Sequence, residues 1–340
     1  MKPIAVVILN WNGTKLLQQY LPSVCAHTDE AIADVIVADN GSTDNSLDVM
    51  RNEFPSVRVM AFPENYGFAE GYNRAIAELQ EYPYIVLLNS DVATSKGWLQ
   101  PLYEYAEQHP DVAALQPKIR AYREPEAFEY AGACGGYLDC NGYAYCRGRI
   151  FDTVERDNGQ YDDVCEVAWA SGAALFVRTE LYMQAGGLDA AFFAHMEEID
   201  LCWRLHSRGR GVVCIPQSVV YHVGAATLKK ENPRKTFLNF RNNLLMLYKN
   251  LPKKDLKKVM FIRGLLDWVA ALVFLLKGDG KNARAVWQAR KEFKRICPDF
   301  ASSRTENLAK ATGQSIPEKV DYSILWKFHA CGKKEFSRLK

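Results

Sequence analysis

The sequence predicts an α/β protein in which a mostly parallel central sheet carries helices on both faces and a basic helical region follows. Three observations point there. Four short β-branched runs, Ile4–Leu9, Val35–Ala38, Val57–Ala61 and Tyr84–Leu88, are too apolar to have a wet face. Helix-patterned segments alternate with them, near residues 14–27, 44–53 and 69–80. Charge is also split along the chain. Residues 225–340 hold 26 Lys+Arg against 10 Asp+Glu, and residues 1–224 hold 16 against 30, beneath a net charge of only +2.

With 340 residues, 48% hydrophobic and 24% charged, the chain has the composition of a folded globular protein, which excludes wholesale disorder. No stretch reaches the ~18 uninterrupted apolar residues of a membrane span, which excludes a polytopic protein. The first apolar run is short and ends in Asn10-Trp11-Asn12-Gly13, so it reads as a strand and not as a secretory signal. Nine scattered cysteines, none in a Cys-x2-Cys pair, read as reduced thiols. A local metal knot among Cys134, Cys140, Cys146 and Cys165 is the alternative.

Ligands of parallel sheets bind beyond the carboxyl ends of the strands. The residues at those places are Asn10-Trp11-Asn12-Gly13, Asp39-Asn40-Gly41-Ser42-Thr43-Asp44, Pro63-Glu64-Asn65-Tyr66-Gly67 and Asn89-Ser90-Asp91. All four are polar. Residues 117–165, rich in Gly, Tyr, Cys and acids, read as irregular loops and a hairpin. Order returns with a strand over 167–177, a helix over 179–185 closed by Gly186-Gly187, a helix over 196–208 and a strand over 212–215. From 233 onward the pattern is helical, punctuated by Pro252 and Gly278.

Taken in order, several segments resemble the family-two glycosyltransferases of the GT-A fold, in particular the non-processive, rhamnosyltransferase-like members. The carriers include Val-Val-Ile-Leu-Asn-Trp-Asn-Gly (6–13), Val-Ala-Asp-Asn-Gly-Ser-Thr-Asp (37–44), Glu-Asn-Tyr-Gly-Phe-Ala-Glu-Gly-Tyr-Asn (64–73) and Leu-Leu-Asn-Ser-Asp-Val (87–92). Trp-Ala-Ser-Gly-Ala-Ala-Leu (169–175), Gly-Gly-Leu-Asp (186–189), Phe-Phe-Ala-His-Met-Glu-Glu-Ile-Asp-Leu-Cys-Trp-Arg-Leu (192–205) and His-Val-Gly (222–224) complete the set over about residues 4–245. The resemblance implies a GT-A catalytic domain over 1–224, with a nucleotide-sugar-binding half (1–116) and an acceptor-binding half (117–224), followed by the basic helical region 225–340.

Residue by residue, the resemblance places Leu9, Asn10, Asn12 and Asp39 around the nucleotide, with Asp39 accepting from a pyrimidine base. From its position alone, Asp39 reads equally as an Asx-turn or helix-cap residue. Asn65, Gly67 and Arg74 lie near the donor, although Arg74 also fits a solvated helix face. Asn89-Ser90-Asp91 stands where the family has Asp-x-Asp, so Asp91 is the one anionic ligand for Mg²⁺ or Mn²⁺, and His222 matches a family His near the metal. Trp169 and Gly172 match the acceptor side, with the Trp169 indole suited either to stacking on a sugar or to a core. Glu197-Glu198-Ile199-Asp200 replaces the family's Glu-Asp-x-Asp. That makes Glu198 the base, with Glu197 and Asp200 beside the substrates, Asp200 being the better candidate for a structural partner of a nearby Arg.

The implied activity is inverting transfer of one sugar from a UDP- or dTDP-sugar to a glycan or lipid-linked glycan. The Gln-x-x-Arg-Trp motif of processive synthases is missing. A sugar nucleotidyltransferase would need a Gly-rich basic loop after the first strand, which Asn-Trp-Asn-Gly-Thr-Lys is not. A non-catalytic nucleotide-sugar or glycan-binding relative finds support only in Asn89 and Glu198. The basic tail suits an anionic surface, and the apolar run Leu265–Leu276 favours a membrane over nucleic acid. A helix packed on the body is the alternative. The expected location is cytoplasmic, peripheral on the inner face of the cytoplasmic membrane.

Overall fold

The computed structural model describes residues 2–224, 232–313, 316 and 319–339. The first half alternates as expected. Strand β1 (Ile4–Asn10) leads through α1 (Thr14–His27) to β2 (Ala33–Asp39), and then through α2 (Ser46–Glu53) to β3 (Arg58–Ala61). Next come α3 (Gly67–Ala77), β4 (Tyr84–Asn89), β5 (Val92–Thr94), α4 (Gln100–Gln108) and β6 (Val112–Ala121). Short strands β7 (Gly136–Leu138), β8 (Ala144–Cys146), β9 (Arg149–Ile150), β10 (Thr153–Val154) and β11 (Cys165–Glu166) precede β12 (Ala174–Arg178) and α5 (Thr179–Ala185). Then follow α6 (Glu197–Ser207) and β13 (Gly211–His222). The remaining helices are α7 (Pro233–Asn250), α8 (Lys253–Leu276), α9 (Gly280–Ile296), α10 (Ala301–Ala309) and α11 (Ile324–His329).

The main sheet runs β11-β13-β6-β12-β4-β1-β2-β3, with β5 on β13, and β7–β10 form a second, antiparallel sheet. β1 pairs in parallel with β2 and β4, and β2 with β3, so Asn10, Asp39 and Asn89 end side by side. The unbroken apolar character of β1 follows from burial on both faces. Ala5 and Val7 join a core with Ala69, Tyr72 and Ile76 of α3, whereas Ile4, Val6 and Ile8 face Leu17, Leu21 and Val24 of α1.

The sequence reading falls short in the middle of the chain. Residues 117–121, read as the start of a loop region, are the second half of a ten-residue strand, Val112–Ala121, and β13 continues to His222 and not to 215. Lys118 hides β6 because it is buried in mid-strand, where Asp157 neutralises it at 2.9 Å. The expected strand 167–177 is regular only over Ala174–Arg178, because residues 168–169 bond back to the Gly136 backbone. The β6–β13 register shifts between Ile215 and Val219, where Pro216 lies, since proline cannot donate to a ladder. That irregularity re-aims the end of β13 so that His222 pairs with Val92 of β5, next to Asp91.

The junction expected after residue 224 runs into residues 225–231, which lie outside the described residues. Beyond it, Leu244, Leu245, Met246, Leu247 and Leu251 join the same core as Val7 and Ile76, so α7 packs into the body. By length and composition α8 could cross a membrane, a case that counting uninterrupted apolar residues misses.

Candidate functional site

The polar strand ends converge as the parallel register requires. Asp39 is buried, accepting from Asn10 Nδ2 at 3.0 Å and from the Ser42 backbone N–H at 2.9 Å. The second bond makes it an Asx-turn residue, the alternative reading of its position. Asn12, at φ +50°, accepts from the Thr43 N–H at 2.7 Å and locks the loop after β1 onto the loop after β2. Asn40 donates to Asn65 Oδ1 at 3.1 Å and to the Gly67 carbonyl at 3.0 Å. Leu9 is half-buried beside Gly71, where an added Cβ would lie 3.0 Å from its methyl groups. Gly67 has φ +79°, and a Cβ there would lie 2.9 Å from the Phe193 ring, so only glycine fits.

A second cluster forms around Asp91. His222 Nε2 lies 3.1 Å from Asp91 Oδ1 and 3.5 Å from Asn89 Nδ2, and its Nδ1 lies 3.4 Å from Glu129 Oε2. Burial is the largest influence on the imidazole and lowers its pKa, but the hydrogen bonds and charges of Asp91 and Glu129 together raise it to about 10. Ser90 sits half-buried in the turn between β4 and β5.

The third cluster opens α6. Glu197 and Glu198 each carry a buried Oε2 without a hydrogen-bond partner, as does His195 at Nε2. Orphaned buried polar atoms are uncommon in folded proteins, and these three fall within four consecutive residues. Burial raises Glu198 to about 7. Burial and then the charge of Glu198 raise Glu197 well above its ordinary value as well. His195 is held down to about 4 by burial and by Lys235.

The backbone leading into these acids is strained, with Phe193, His195 and Met196 at φ +64°, +71° and +73°. It is held by Asn242 of α7, whose Nδ2 lies 2.8–3.0 Å from the carbonyls of Phe192, Ala194 and His195. Gly172 faces this cluster, since a Cβ there would lie 3.7 Å from Glu198 Cβ and 3.3 Å from Phe68. The Phe68 N–H donates to the Phe193 carbonyl at 3.1 Å, tying the first turn of α3 to the segment leading into α6.

Three expected site residues stand elsewhere. Trp169 is buried, with its indole packed under Gly136 and Nε1 donating to the Tyr137 carbonyl at 3.1 Å, so it has no face free for a sugar. Asp200 is fully buried on the far side of α6, bonded to Arg204 at 2.9 Å, Lys249 at 2.8 Å and Asn250 at 2.7 Å, so it is a structural anchor and not a substrate contact. Arg74 pairs with Glu70 at 2.9 Å and lies over the Tyr66 ring, on an exposed helix face. Sequence reasoning passed over Glu129, His195 and Asn242. The nine cysteines are free thiols, and no group of three His, Cys, Asp or Glu poised for a metal occurs among the described residues.

Residues 5–135 match the family model of glycosyl transferase family 2. Together with the relatives below, that match marks the chain as a glycosyltransferase. This glycosyltransferase is 29% identical over 236 residues to an N-acetylglucosaminyl-diphospho-decaprenol L-rhamnosyltransferase of Mycobacterium tuberculosis, covering 64% of this chain and 75% of that protein. It is 25% identical over 256 residues to a pre-mycofactocin glycosyltransferase of the same organism, covering 74% of this chain and 50% of that one. Among solved structures it shares its fold with GalNAc-T7 bound to UDP, GalNAc and Mn²⁺, at a TM-score of 0.58 and 14% identity over 73% of this chain and 48% of that one. The mannosyltransferase PcManGT of Pyrobaculum calidifontis, with GDP-Man and Mn²⁺, gives 0.50 and 13% identity over 91% and 84%. The glycosyltransferase therefore has the GT-A fold.

Proposed function

We propose that this glycosyltransferase moves one sugar from a UDP- or dTDP-linked donor to a glycan or lipid-linked glycan, with inversion at the anomeric carbon. The observation that carries the reading is the Glu197–Glu198 pair at the start of α6, each with an unpartnered buried carboxyl oxygen and with the Glu198 Cβ beside Gly172. Burial raises both carboxyls and puts Glu198 near 7, in the range a general base requires. As the acceptor hydroxyl forms its bond to the anomeric carbon, Glu198 takes its proton. The bond from that carbon to the diphosphate breaks on the opposite face, and the nucleoside diphosphate leaves. Asp39 and Asn10 would receive the base, and Asn65 and the Gly67 backbone would border the donor. The lipid-diphosphate substrate in the name of the rhamnosyltransferase relative supports a membrane-borne acceptor, and with it a place at the cytoplasmic face of the membrane.

Asp91 and His222 would hold a divalent cation. A buried carboxylate and imidazole 3.1 Å apart at the end of β4 fit a small oxygen- and nitrogen-liganded ion, with Mn²⁺ better suited than Mg²⁺ to the imidazole. Such an ion supplies charge neutralisation to the departing diphosphate. With so few protein donors, most of the coordination falls to diphosphate and water, so the ion binds weakly before the donor. Turnover should therefore vanish in chelator and return with Mn²⁺. Asp91→Asn should lower it about 10²-fold while the Tm is unchanged. Full activity in chelator would remove the metal and leave Asp91 as a partner of His222 alone.

Purified protein incubated with a panel of UDP- and dTDP-sugars tests the reading as a whole. Release of a nucleoside diphosphate and free or transferred sugar from one donor is expected. Pyrophosphate exchange, or binding without turnover, would overturn it.

A further inference from the structure

The surface feature that the catalytic site leaves unexplained is one side of α8. Phe261, Leu265, Trp268, Val269, Leu272, Val273, Leu275 and Leu276 are exposed, Leu276 at 79% and Phe261 at 69%. They form one stripe about four turns long, wider than a coiled-coil seam. Toward the amino end the same stripe continues in exposed Lys254 and Lys258, with Lys253 and Lys257 beside it. Trp287 of α9 is also exposed, and with Trp268, Arg290, Lys291 and Lys294 it lines a shallow groove between the two helices.

The opposite side of α8 is of another kind. Val259, Arg263, Asp267 and Ala271, spaced by four, are buried against the protein. Arg263 bonds to Asn243, lies 3.3 Å from the Asn141 carbonyl and caps the Tyr143 ring at 4.1 Å. Asp267 accepts from Arg263 at 3.3 Å and from Arg290 at 2.5 Å. This cluster ties α8 to α7, to α9 and to the loop before β8.

We propose that α8 lies flat in the headgroup layer of an anionic bilayer, with its apolar stripe sunk among the acyl chains and its lysines on lipid phosphates. It does not cross the bilayer. Crossing would strip Arg263 and Asp267 of Asn243 and Arg290 and leave a charged pair in hydrocarbon, whereas lying flat keeps every one of these bonds. Two indoles flanked by cations at the helix edge suit the boundary between acyl chains and phosphate. A second copy of the chain is a poorer occupant. Parallel self-pairing along the stripe sets Lys254 and Lys258 against themselves, and a region with 26 basic and 10 acidic residues repels its own kind. The inference deepens the reading of a membrane-borne acceptor and rests on that reading only for its purpose.

Flotation of the full chain with phosphatidylcholine vesicles, with and without phosphatidylglycerol, tests it. Binding should require phosphatidylglycerol, weaken in high salt and be released by alkaline carbonate. Leu265→Glu with Leu272→Glu should lower partitioning at least about tenfold, and Lys254→Glu with Lys258→Glu should do the same at low salt. Both pairs should leave donor hydrolysis in free solution unchanged, so a chain that floats but turns over no donor would count against the proposed function and not against this surface. Absence of vesicle binding would overturn the proposal. So would resistance to carbonate, which means a spanning helix, or a dimer on size exclusion that the leucine variants dissociate without any vesicle binding.

Discussion

Glu198→Gln should lower sugar transfer by ~10²–10⁴-fold while donor affinity stays within about twofold, because the base meets the acceptor proton and not the nucleotide. Single-turnover transfer and donor titration measure the two quantities separately. The same variant carries a stability signature of opposite sign. In the folded protein burial raises Glu198 to about 7, above its ordinary value near 4.5. Wild type therefore loses stability as pH rises from about 4.5 to about 7, where the unfolded carboxyl ionises freely and the folded one resists. A glutamine has no proton to lose, so the Tm of the variant should exceed that of wild type at pH 8 and approach it at pH 5. A dead variant with a Tm below wild type at pH 8 would mean that Glu198 holds the fold and is not a base.

Asp200→Asn is expected to act on stability. Lys249 and Arg204 both meet this fully buried carboxylate, and Asn250 donates to its other oxygen. Burial alone would raise its pKa, but the charges of Lys249 and Arg204 lower it below the ordinary value. The contribution of the ion pairs is therefore complete at neutral pH and is lost only as pH falls through that lowered value. Removing the negative charge leaves buried Arg204 without a carboxylate and Lys249 with Asp189 alone at 2.6 Å, at a cost of about 3–5 kcal/mol and a Tm lower by about 10 °C. Below the new transition, transfer should stay within about tenfold of wild type. A Tm shift under about 2 °C together with lost transfer would exchange the roles of Asp200 and Glu198.

Much of this was legible in the sequence because it rests on local pattern. The runs at 4–9, 35–38 and 84–88 announce a parallel sheet, and that sheet dictates where Asn10, Asp39 and Asn89 meet. The quartet at 197–200 lies on one short helix, so its division into members with an unpartnered oxygen and an anchored Asp200 follows from helical geometry. Glu129 was not legible. It reaches His222 only because residues 128–133 fold back on β6, where the Glu129 N–H donates to the Ile119 carbonyl at 3.0 Å, and no local periodicity encodes that return. Asn242 escaped for a related reason, since it acts across 50 residues on backbone carbonyls, which carry no sequence identity. Trp169 misled because an indole beside glycine and serine serves a core as readily as a sugar site. Its burial was settled by Gly136, from a segment without a readable pattern.

The central claim is that a carboxyl group titrating near neutrality drives sugar transfer from a nucleotide donor. Its most direct test is kcat/KM against pH, between 5 and 9, for wild type and Glu198→Gln with the donor selected from the panel. Wild type should lose rate tenfold per pH unit below an inflection near 7 and level off above it, and the residual rate of the variant should show no such limb. A wild-type profile that is flat across the range, or a variant that keeps the same inflection, would contradict the account.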